Sequence, residues 1–327
     1  MKRVSSGMRP TGKLHLGNYF GALKNWIELQ DKYECFYFIV DYHALTTKYE
    51  QSKEIRDNIY EMALDWFSMG LDYNKSTIYL QSSIVEIPIL HLIFSMIVPM
   101  PWLERNPTVK EMIRDLDLKE NVGYGLLGYP VLQSADILIV KGEYVPVGKD
   151  QLPHLEFSRE LARRFNYLYG EYFPEPQPLL TETPIILGTD GRKMSKSLNN
   201  QINLSDSQEE MINKISQMVT DPAKVRKNDP GHPDICSVFT YYGYFEKEKE
   251  EIVKKECIKG ERGCVQCKKE IAMKIYELFE SYRDKKSELE KSKDTIWDIL
   301  KEGGKKVKKI SEDTLNGVKK LMGLDYL

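Results

Sequence analysis

The sequence predicts an α/β protein built on a parallel β-sheet, followed by a C-terminal domain that is all helical. Three short apolar runs, at residues 36–40, 76–80 and 137–140, have the composition of buried strands. Residues 50–69 and 152–165 place apolar side chains at helical spacing. Strands that alternate with helices are typical of a parallel sheet covered by helices.

The second domain is predicted from a change in composition. Residues 166–180 are rich in Tyr, Pro and Gly, which indicates an irregular connection. After residue 200 strand signals nearly vanish and the chain is rich in Lys and Glu. We therefore place one domain at residues 1–200 and a helical domain at residues 201–327, whose last helix can pack back on the first domain.

The composition is that of a soluble globular protein, with 41% hydrophobic and 29% charged residues and a net charge of -2. This total charge does not demand a polyanionic partner, although a local basic surface is enough to bind RNA. The most apolar stretch, residues 87–103, contains three prolines and is too short to span a membrane. We expect a buried helix that ends at Pro99, in a cytoplasmic protein without membrane contact.

The first motif that carries chemistry is Pro-Thr-Gly-Lys-Leu-His-Leu-Gly-Asn at residues 10–18. It follows a short candidate strand and opens a helix. Gly17 lets a ligand approach the backbone closely, and His15 and Asn18 add polar groups beside a helix N-terminus, which favours phosphate. A strand–loop–helix with two glycines is also, on these grounds alone, compatible with a simple turn.

The second motif is Gly-Arg-Lys-Met-Ser-Lys-Ser at residues 191–197. Lys193 and Lys196, with the hydroxyls of Ser195 and Ser197, form a candidate anion clamp, because lysine ammonium groups suit a triphosphate as point charges. Alone, the segment is equally compatible with a generic polar loop.

The two motifs together resemble the signatures of class I aminoacyl-tRNA synthetases. Residues 15–18, His-Leu-Gly-Asn, resemble the HIGH signature, and residues 193–197 read Lys-Met-Ser-Lys-Ser. The resemblance extends over nearly the whole chain and implies a Rossmann-like domain that binds ATP at the carboxyl edge of its sheet. Residues 17–23, 40–44 and 135–138 further resemble the tryptophanyl members of this class.

Asp136 is the residue that bears on the choice of amino acid. It lies among apolar residues, where a carboxylate needs a donor, and from the residues alone a capping or ion-paired aspartate is the simpler interpretation. The resemblance implies that it accepts from the indole N–H of tryptophan. Ser5 and Gln133 stand where Phe and Met are common in bacterial members, which leaves the packing around the indole open.

The resemblance also implies two sets of binding residues. The tryptophan pocket would be lined by Gly7, His43, Tyr129, Gln133, Asp136, Val145, Val147 and Gln151. ATP would be contacted by Arg9, Pro10, Thr11, Gly17, Asn18, Gly148, Lys149, Asp150, Leu187, Lys193, Met194, Ser195, Lys196 and Ser197.

The implied reaction is the activation of L-tryptophan by ATP with Mg2+, followed by transfer to tRNA(Trp). The tryptophan carboxylate attacks the α-phosphate and pyrophosphate leaves, so that catalysis rests on positioning and charge stabilisation. We expect His15 and Asn18 to hold the phosphates, and Lys193 and Lys196 to stabilise the leaving pyrophosphate.

Four of the five cysteines, Cys236, Cys257, Cys264 and Cys267, are separated by 20, 6 and 2 residues. Their charged surroundings do not suit apolar burial, and four thiolates can hold Zn2+ or a [4Fe-4S] cluster. Zinc ribbons usually contain two C-x2-C pairs and this chain has one. Resemblance to tryptophanyl enzymes that carry a cluster favours [4Fe-4S], with Zn2+ as the alternative, in a structural role near the surface that meets the anticodon.

Two other functions remain open at this stage. A tyrosyl-tRNA synthetase would share the fold, and a non-catalytic iron–sulfur RNA-binding paralogue would share the cysteines. The resemblance also implies a homodimer with its interface in the first domain, for which residues 87–103 are the candidate.

Overall fold

The computed structural model describes residues 1–115, 118, 122–148, 152–180 and 184–326. Its strands are β1 (Arg3–Met8), β2 (Glu34–Ile39), β3 (Thr77–Leu80), β4 (Tyr144–Val147) and β5 (Gln177–Leu180). Its helices are α1 (Leu16–Asn18), α2 (Lys24–Leu29), α3 (Asp41–Lys48), α4 (Ser52–Met69), α5 (Glu86–Ser95), α6 (Met100–Arg105), α7 (Pro107–Asp115), α8 (Tyr124–Leu127), α9 (Tyr129–Ile139), α10 (Leu152–Tyr169), α11 (Gln208–Ser216), α12 (Ser237–Phe245), α13 (Lys247–Ile258), α14 (Cys264–Leu278), α15 (Glu280–Leu289) and α16 (Lys293–Leu321). The π-helical segment Tyr19–Leu23 joins α1 to α2.

The five strands form one parallel sheet in the order β3-β2-β1-β4-β5, which confirms the predicted Rossmann-like α/β class. The predicted strands at residues 36–40 and 76–80 are confirmed as β2 and β3. The predicted helices at residues 50–69 and 152–165 are confirmed as α4 and α10. Most of the main core lies between β2 and β3 and the helices α5, α9, α10 and α16.

The predicted strand at residues 137–140 is wrong, because this run closes helix α9. Residues 134–139 are buried without interruption, between α5 and α10. A short apolar run of this kind has no periodicity that separates a buried helix from a buried strand. Strands β4 and β5 were not predicted, because they contain Pro146 and Pro178 and proline weakens a strand signal.

The apolar stretch at residues 87–103 forms α5 and α6, and Pro99 precedes α6. Helix α5 thus ends at Ser95, before the expected end at Pro99, and only one side of α5 is buried. Among the residues that the structure describes, no helix is both long enough and apolar enough to cross a membrane.

The chain is divided into two compact units. The first contains Met1–Gly12, Ala22–Glu182 and Leu289–Leu327, and the second contains Lys13–Gly21 and Thr183–Glu288. This division differs from a single boundary near residue 200, because the chain passes between the units four times.

Backbone pairing between distant segments explains this division. In the second unit the backbone N–H of Leu16 donates to Ile202 at 3.0 Å, and that of Leu204 donates to Leu14 at 2.9 Å. These bonds join the segment before α1 to residues far along the chain. In the first unit α16 packs against β3 and α5, so the last helix does return to the sheet domain.

Helix α16 approaches β3 so closely that one glycine is required. A Cβ added at Gly303 would lie 1.8 Å from the carbonyl oxygen of Ile78, whereas one at Gly304 would meet only the hydroxyl of exposed Ser83, at 2.9 Å. Because β3 is an edge strand, α16 covers backbone that would otherwise be open to pairing with another chain.

We therefore expect Gly303→Ala to lower the free energy of unfolding by about 1–3 kcal/mol, as overpacking does. Gly304→Ala is the matched control, since the exposed Ser83 side chain can rotate away by giving up its bond to the Leu80 carbonyl, and alanine favours helix by about 1 kcal/mol. Urea unfolding of the two variants measures the difference. Equal stability of the two variants would contradict the close packing of α16 on β3.

Candidate active site

The carboxyl edge of the sheet in the first unit gathers most of the predicted amino-acid-binding residues. Because all strands are parallel, the residues that end β1, β2, β3 and β4 meet at this edge. Gly7 lies near the end of β1, His43 lies in the helix that follows β2, and Val145 and Val147 lie in β4. This is the edge at which open parallel sheets bind their ligands.

Helix α9 contributes Tyr129, Gln133 and Asp136, whose spacing places them on one side of the helix. Asp136 is only 1% exposed. Its Oδ2 atom accepts from Nε2 of His43 at 2.9 Å, and the His43 ring contacts Tyr129 edge-on at 4.4 Å between centroids. The structure thus brings together three of the residues predicted to recognise the amino acid.

Gln81, immediately after β3, is a further residue of this site that the sequence analysis missed. Its Nε2 donates to both carboxylate oxygens of Asp136, at 2.7 and 2.9 Å. Burial raises the pKa of the Asp136 carboxyl, and the hydrogen bonds from His43 and Gln81 oppose that rise. No local pattern indicated this contact, because the two residues are 55 positions apart.

The walls around this group are closely packed. A Cβ at Gly7 would lie 2.6 Å from the Phe38 ring, so no side chain fits there. Val145 and Val147 pack with Ile137 of α9 and Leu155 of α10. Ser5 is fully buried, and its Oγ atom has no hydrogen-bond partner among the described residues.

The segment after β1 contains the first of the predicted ATP contacts. Arg9 donates to the hydroxyl of Thr47, and burial lowers the pKa of its guanidinium group. Pro10 is buried, while Thr11 and Gly148 are partly buried. Lys149, Asp150 and Gln151 lie outside the described residues.

In the second unit, His15 and Asn18 form a reciprocal cap at the start of α1. Nδ1 of His15 accepts from the Asn18 backbone N–H, and Oδ1 of Asn18 accepts from the His15 backbone N–H, both at 3.2 Å. The two residues therefore cap the helix as well as offering polar groups to a ligand, a role that the sequence analysis had not assigned.

His15 is a neutral donor at pH 7. Burial, and then the positive charge of Lys196, lower the pKa of His15 to about 4. Since Nδ1 accepts a hydrogen bond, the single proton of the neutral ring lies on Nε2. The interaction with Lys196 places the two signature motifs side by side in this unit.

Close packing joins the same two motifs. A Cβ at Gly17 would lie 3.0 Å from the His15 ring and 3.5 Å from Cβ of Met194. Met194 is buried, and its backbone N–H donates to Ile186 at 2.9 Å. Leu187 forms an isolated antiparallel bridge with Lys193.

Asn200 organises the lysine-rich loop and was also missed. It is 1% exposed, its Oδ1 atom accepts from the Ser195 N–H at 2.7 Å, and its Nδ2 atom donates to the Lys193 carbonyl at 3.3 Å. Nδ2 also donates to Asp190 at 2.7 Å, and this bond, followed by bonds from Arg192, lowers the Asp190 pKa to about 2. One amide thus holds the loop that presents Lys193 and Lys196.

The four clustered cysteines all lie in the second unit as partly buried free thiols. Cys236 precedes α12, Cys257 lies in α13, and Cys264 and Cys267 lie in the first turn of α14. They are close enough for their charges to interact, and burial raises the pKa of Cys236, Cys257 and Cys267.

Four cysteine thiols are suitable ligands for a metal centre, but their side chains are not arranged around a common point. Nε of Arg262 donates to Sγ of Cys267 at 2.9 Å, and a Cβ at Gly231 would lie 2.5 Å from Sγ of Cys257. Within the described ranges, no three His, Cys, Asp or Glu side chains converge to hold a metal ion. The structure therefore brings the four thiols into one region of the second unit.

Comparison with known proteins agrees with the two signature motifs. Residues 1–280 match the family described as tRNA synthetases class I (W and Y). The tryptophan–tRNA ligases of Aquifex aeolicus and Thermotoga maritima are each 45% identical to the chain, over 98% and 99% of it and 100% of their own lengths. The crystal structure of tryptophanyl-tRNA synthetase from Campylobacter jejuni complexed with ADP and tryptophan is similar, with a TM-score of 0.88 and 34% identity over 98% of this chain and 100% of that one.

The motifs, the parallel sheet and these matches agree over nearly the entire length of the protein. The chain belongs to the class I aminoacyl-tRNA synthetases, in the family of the tryptophan and tyrosine enzymes.

Proposed function

We propose that the protein is a tryptophan–tRNA ligase, which activates L-tryptophan with ATP and transfers it to tRNA(Trp). The observation that carries this proposal is the buried carboxylate of Asp136 at the carboxyl edge of the sheet. Indole N–H can only donate, and an ionised carboxylate can only accept. A competitor without this donor, such as phenylalanine, would leave the carboxylate buried and incompletely paired, which favours tryptophan by several kcal/mol.

The proposed tryptophan pocket consists of residues around this carboxylate. Tyr129 and His43 contact each other beside Asp136, and the Phe38 ring packs against the position that a Cβ at Gly7 would take, so the end of β1 is bare backbone. The full proposed set is Gly7, His43, Tyr129, Gln133, Asp136, Val145, Val147 and Gln151.

In the proposed reaction the tryptophan carboxylate forms a bond to the α-phosphorus while the bond to pyrophosphate breaks. Neutral His15 would donate from Nε2 to phosphate oxygen, and Lys193 and Lys196 would neutralise the leaving pyrophosphate, which is bound with Mg2+. The proposed ATP contacts are Arg9, Pro10, Thr11, Gly17, Asn18, Gly148, Lys149, Asp150, Leu187, Lys193, Met194, Ser195, Lys196 and Ser197. The anticodon contacts are proposed for the helical domain predicted at residues 201–327, of which residues 201–288 belong to the second unit.

The amino-acid dependence of ATP–pyrophosphate exchange tests this function. We expect exchange with tryptophan and none above background with tyrosine or phenylalanine. Exchange with tyrosine instead would establish a tyrosyl enzyme, and absence of exchange with any amino acid would indicate a non-catalytic RNA-binding paralogue.

Lys196→Ala should lower the rate of adenylate formation by about a hundredfold to a thousandfold, the usual loss when one charge-stabilising donor is removed. Its Kd for tryptophan should stay nearly constant, because the lysine acts on phosphate. Single-turnover kinetics and calorimetry measure the two quantities. The control is Lys249→Ala, which removes an exposed lysine that pairs with Glu246 at 2.7 Å. Equal losses of rate and tryptophan affinity would exclude the assigned role.

We also propose that the protein is a homodimer in which α5 contributes to the interface. Val85, Ile89, Leu92 and Met96 are spaced along one side of this segment and are 58%, 38%, 55% and 71% exposed. An apolar stripe of this kind is typical of a protein–protein contact. A monomeric molar mass by light scattering, at concentrations used for catalysis, would contradict this proposal.

We propose further that Cys236, Cys257, Cys264 and Cys267 bind a [4Fe-4S] cluster. When bound, such a cluster would cross-link the start of α12, the end of α13 and the start of α14 through thiolate ligands. Arg262 supports this proposal, because its donor to Cys267 Sγ would stabilise a thiolate. Zn2+ is the alternative occupant.

Anaerobically prepared protein should therefore be brown, absorb broadly near 400 nm and contain about four irons per chain. Cys264→Ser should abolish the colour and the iron. Cys35→Ala is the control, because Cys35 lies buried in β2, in the other unit. Stoichiometric zinc without iron in the anaerobic protein would contradict the cluster.

A further inference from the structure

We propose that Gln81 is the positioning residue that keeps Asp136 an acceptor for the indole N–H, and thereby sets selectivity for tryptophan. This inference rests on the proposed function. It concerns a residue that does not contact the reacting atoms and that no signature motif contains.

The orientation of the Gln81 amide is fixed by its surroundings. Oε1 accepts from the backbone N–H of Tyr42 at 3.1 Å. A backbone N–H can only donate. If the amide were flipped, its NH2 group would face the Tyr42 N–H, and two donors would oppose each other. Nε2 must therefore face Asp136, where it lies 2.7 and 2.9 Å from the two carboxylate oxygens. Gln81 is fully buried, so no water replaces this bond.

The hydrogen bonds to Asp136 leave capacity for a ligand. A carboxylate has about four acceptor positions, of which Gln81 and His43 use up to three. The remaining position suits one further donor, such as an indole N–H. An amide does not titrate near neutral pH, so Gln81 supplies its donor at every working pH.

Loss of this donor would weaken Asp136 as an acceptor for the indole N–H. Burial already disfavours the charged form of Asp136. Without Gln81 the carboxyl would hold a proton more readily, and a protonated acid is a weaker acceptor whose O–H group can also face the indole N–H as a second donor. The other titratable groups that interact with Asp136 are His43 on α3, Tyr79 on β3, His91 on α5 and Tyr129 on α9.

The test compares tryptophan with 3-benzothienylalanine, in which sulfur replaces the indole N–H. For Gln81→Met we expect the ratio of kcat/KM for the two substrates in pyrophosphate exchange to fall by about tenfold to a hundredfold, the effect of a hydrogen bond to a charged group. KM for ATP should change little. The control is Gln30→Met, because Gln30 is also buried and its amide bonds to the backbone of Gly70 and Asp72.

The pH dependence separates positioning from a purely structural role. In Gln81→Glu the two carboxyl groups would share a proton at low pH, and that proton replaces the lost N–H donor. As the pH is lowered from 8 to 5.5, the ratio of kcat/KM for the two substrates, relative to wild type, should therefore recover in Gln81→Glu. Over the same range it should fall further in Gln81→Met. Comparison with wild type at each pH removes the contribution of the other titratable groups.

The outcomes distinguish this inference from the proposed function. Parallel pH profiles for Gln81→Glu and Gln81→Met, or wild-type selectivity in Gln81→Met, would overturn the role of Gln81 and leave the ligase intact. A wild-type enzyme that does not distinguish tryptophan from 3-benzothienylalanine would instead contradict the indole recognition on which the inference rests.

Discussion

The cost of burying the Asp136 carboxylate is the constraint that shapes the proposed tryptophan pocket. Removing an isolated carboxylate from water costs several kcal/mol, so its site must supply donors. Helix α3 supplies His43 and the end of β3 supplies Gln81, while α9 carries the carboxylate itself. All three elements depend on a parallel sheet whose strands end at one edge. The fold and the proposed selectivity thus depend on the same arrangement.

In the second unit, local order positions His15, Asn18 and the lysine-rich loop. The two signature motifs are far apart in sequence, but backbone bonds between residues 14–16 and 202–204 hold them together. Neutral His15 is fixed by its own helix cap, and Asn200 fixes the loop that bears the lysines. Preorganised donors of this kind stabilise charge without reorganisation during the reaction.

The sequence predicted the features that depend on local pattern. The α/β class, strands β2 and β3, helices α4 and α10, and the two signature motifs all have recognisable composition or spacing. The run at residues 137–140 was assigned wrongly, because a buried helix and a buried strand are equally apolar. The division into units could not be predicted from composition, since it follows from long-range backbone pairing around α1 and from the packing of α16 on β3.

Residues whose partners are distant in sequence could not be predicted either, because such contacts leave no local pattern. Gln81 and Asn200 are single amides in segments without a diagnostic pattern, and their importance comes from groups that the fold brings to them. Asp136 could be identified from its apolar surroundings and from family resemblance, but neither of these named its donors. The cysteines show the opposite case, since their spacing was conspicuous in the sequence, whereas in the described part of the fold their side chains do not converge on one point.

The central claim is that Asp136 accepts a hydrogen bond from the indole of bound tryptophan. NMR of tryptophan labelled with 15N at the indole nitrogen, bound to the enzyme without ATP, tests it directly. The indole proton of the bound amino acid should resonate well downfield of free tryptophan, as expected for donation to a buried carboxylate. A bound indole proton at the position of the free amino acid would contradict the account.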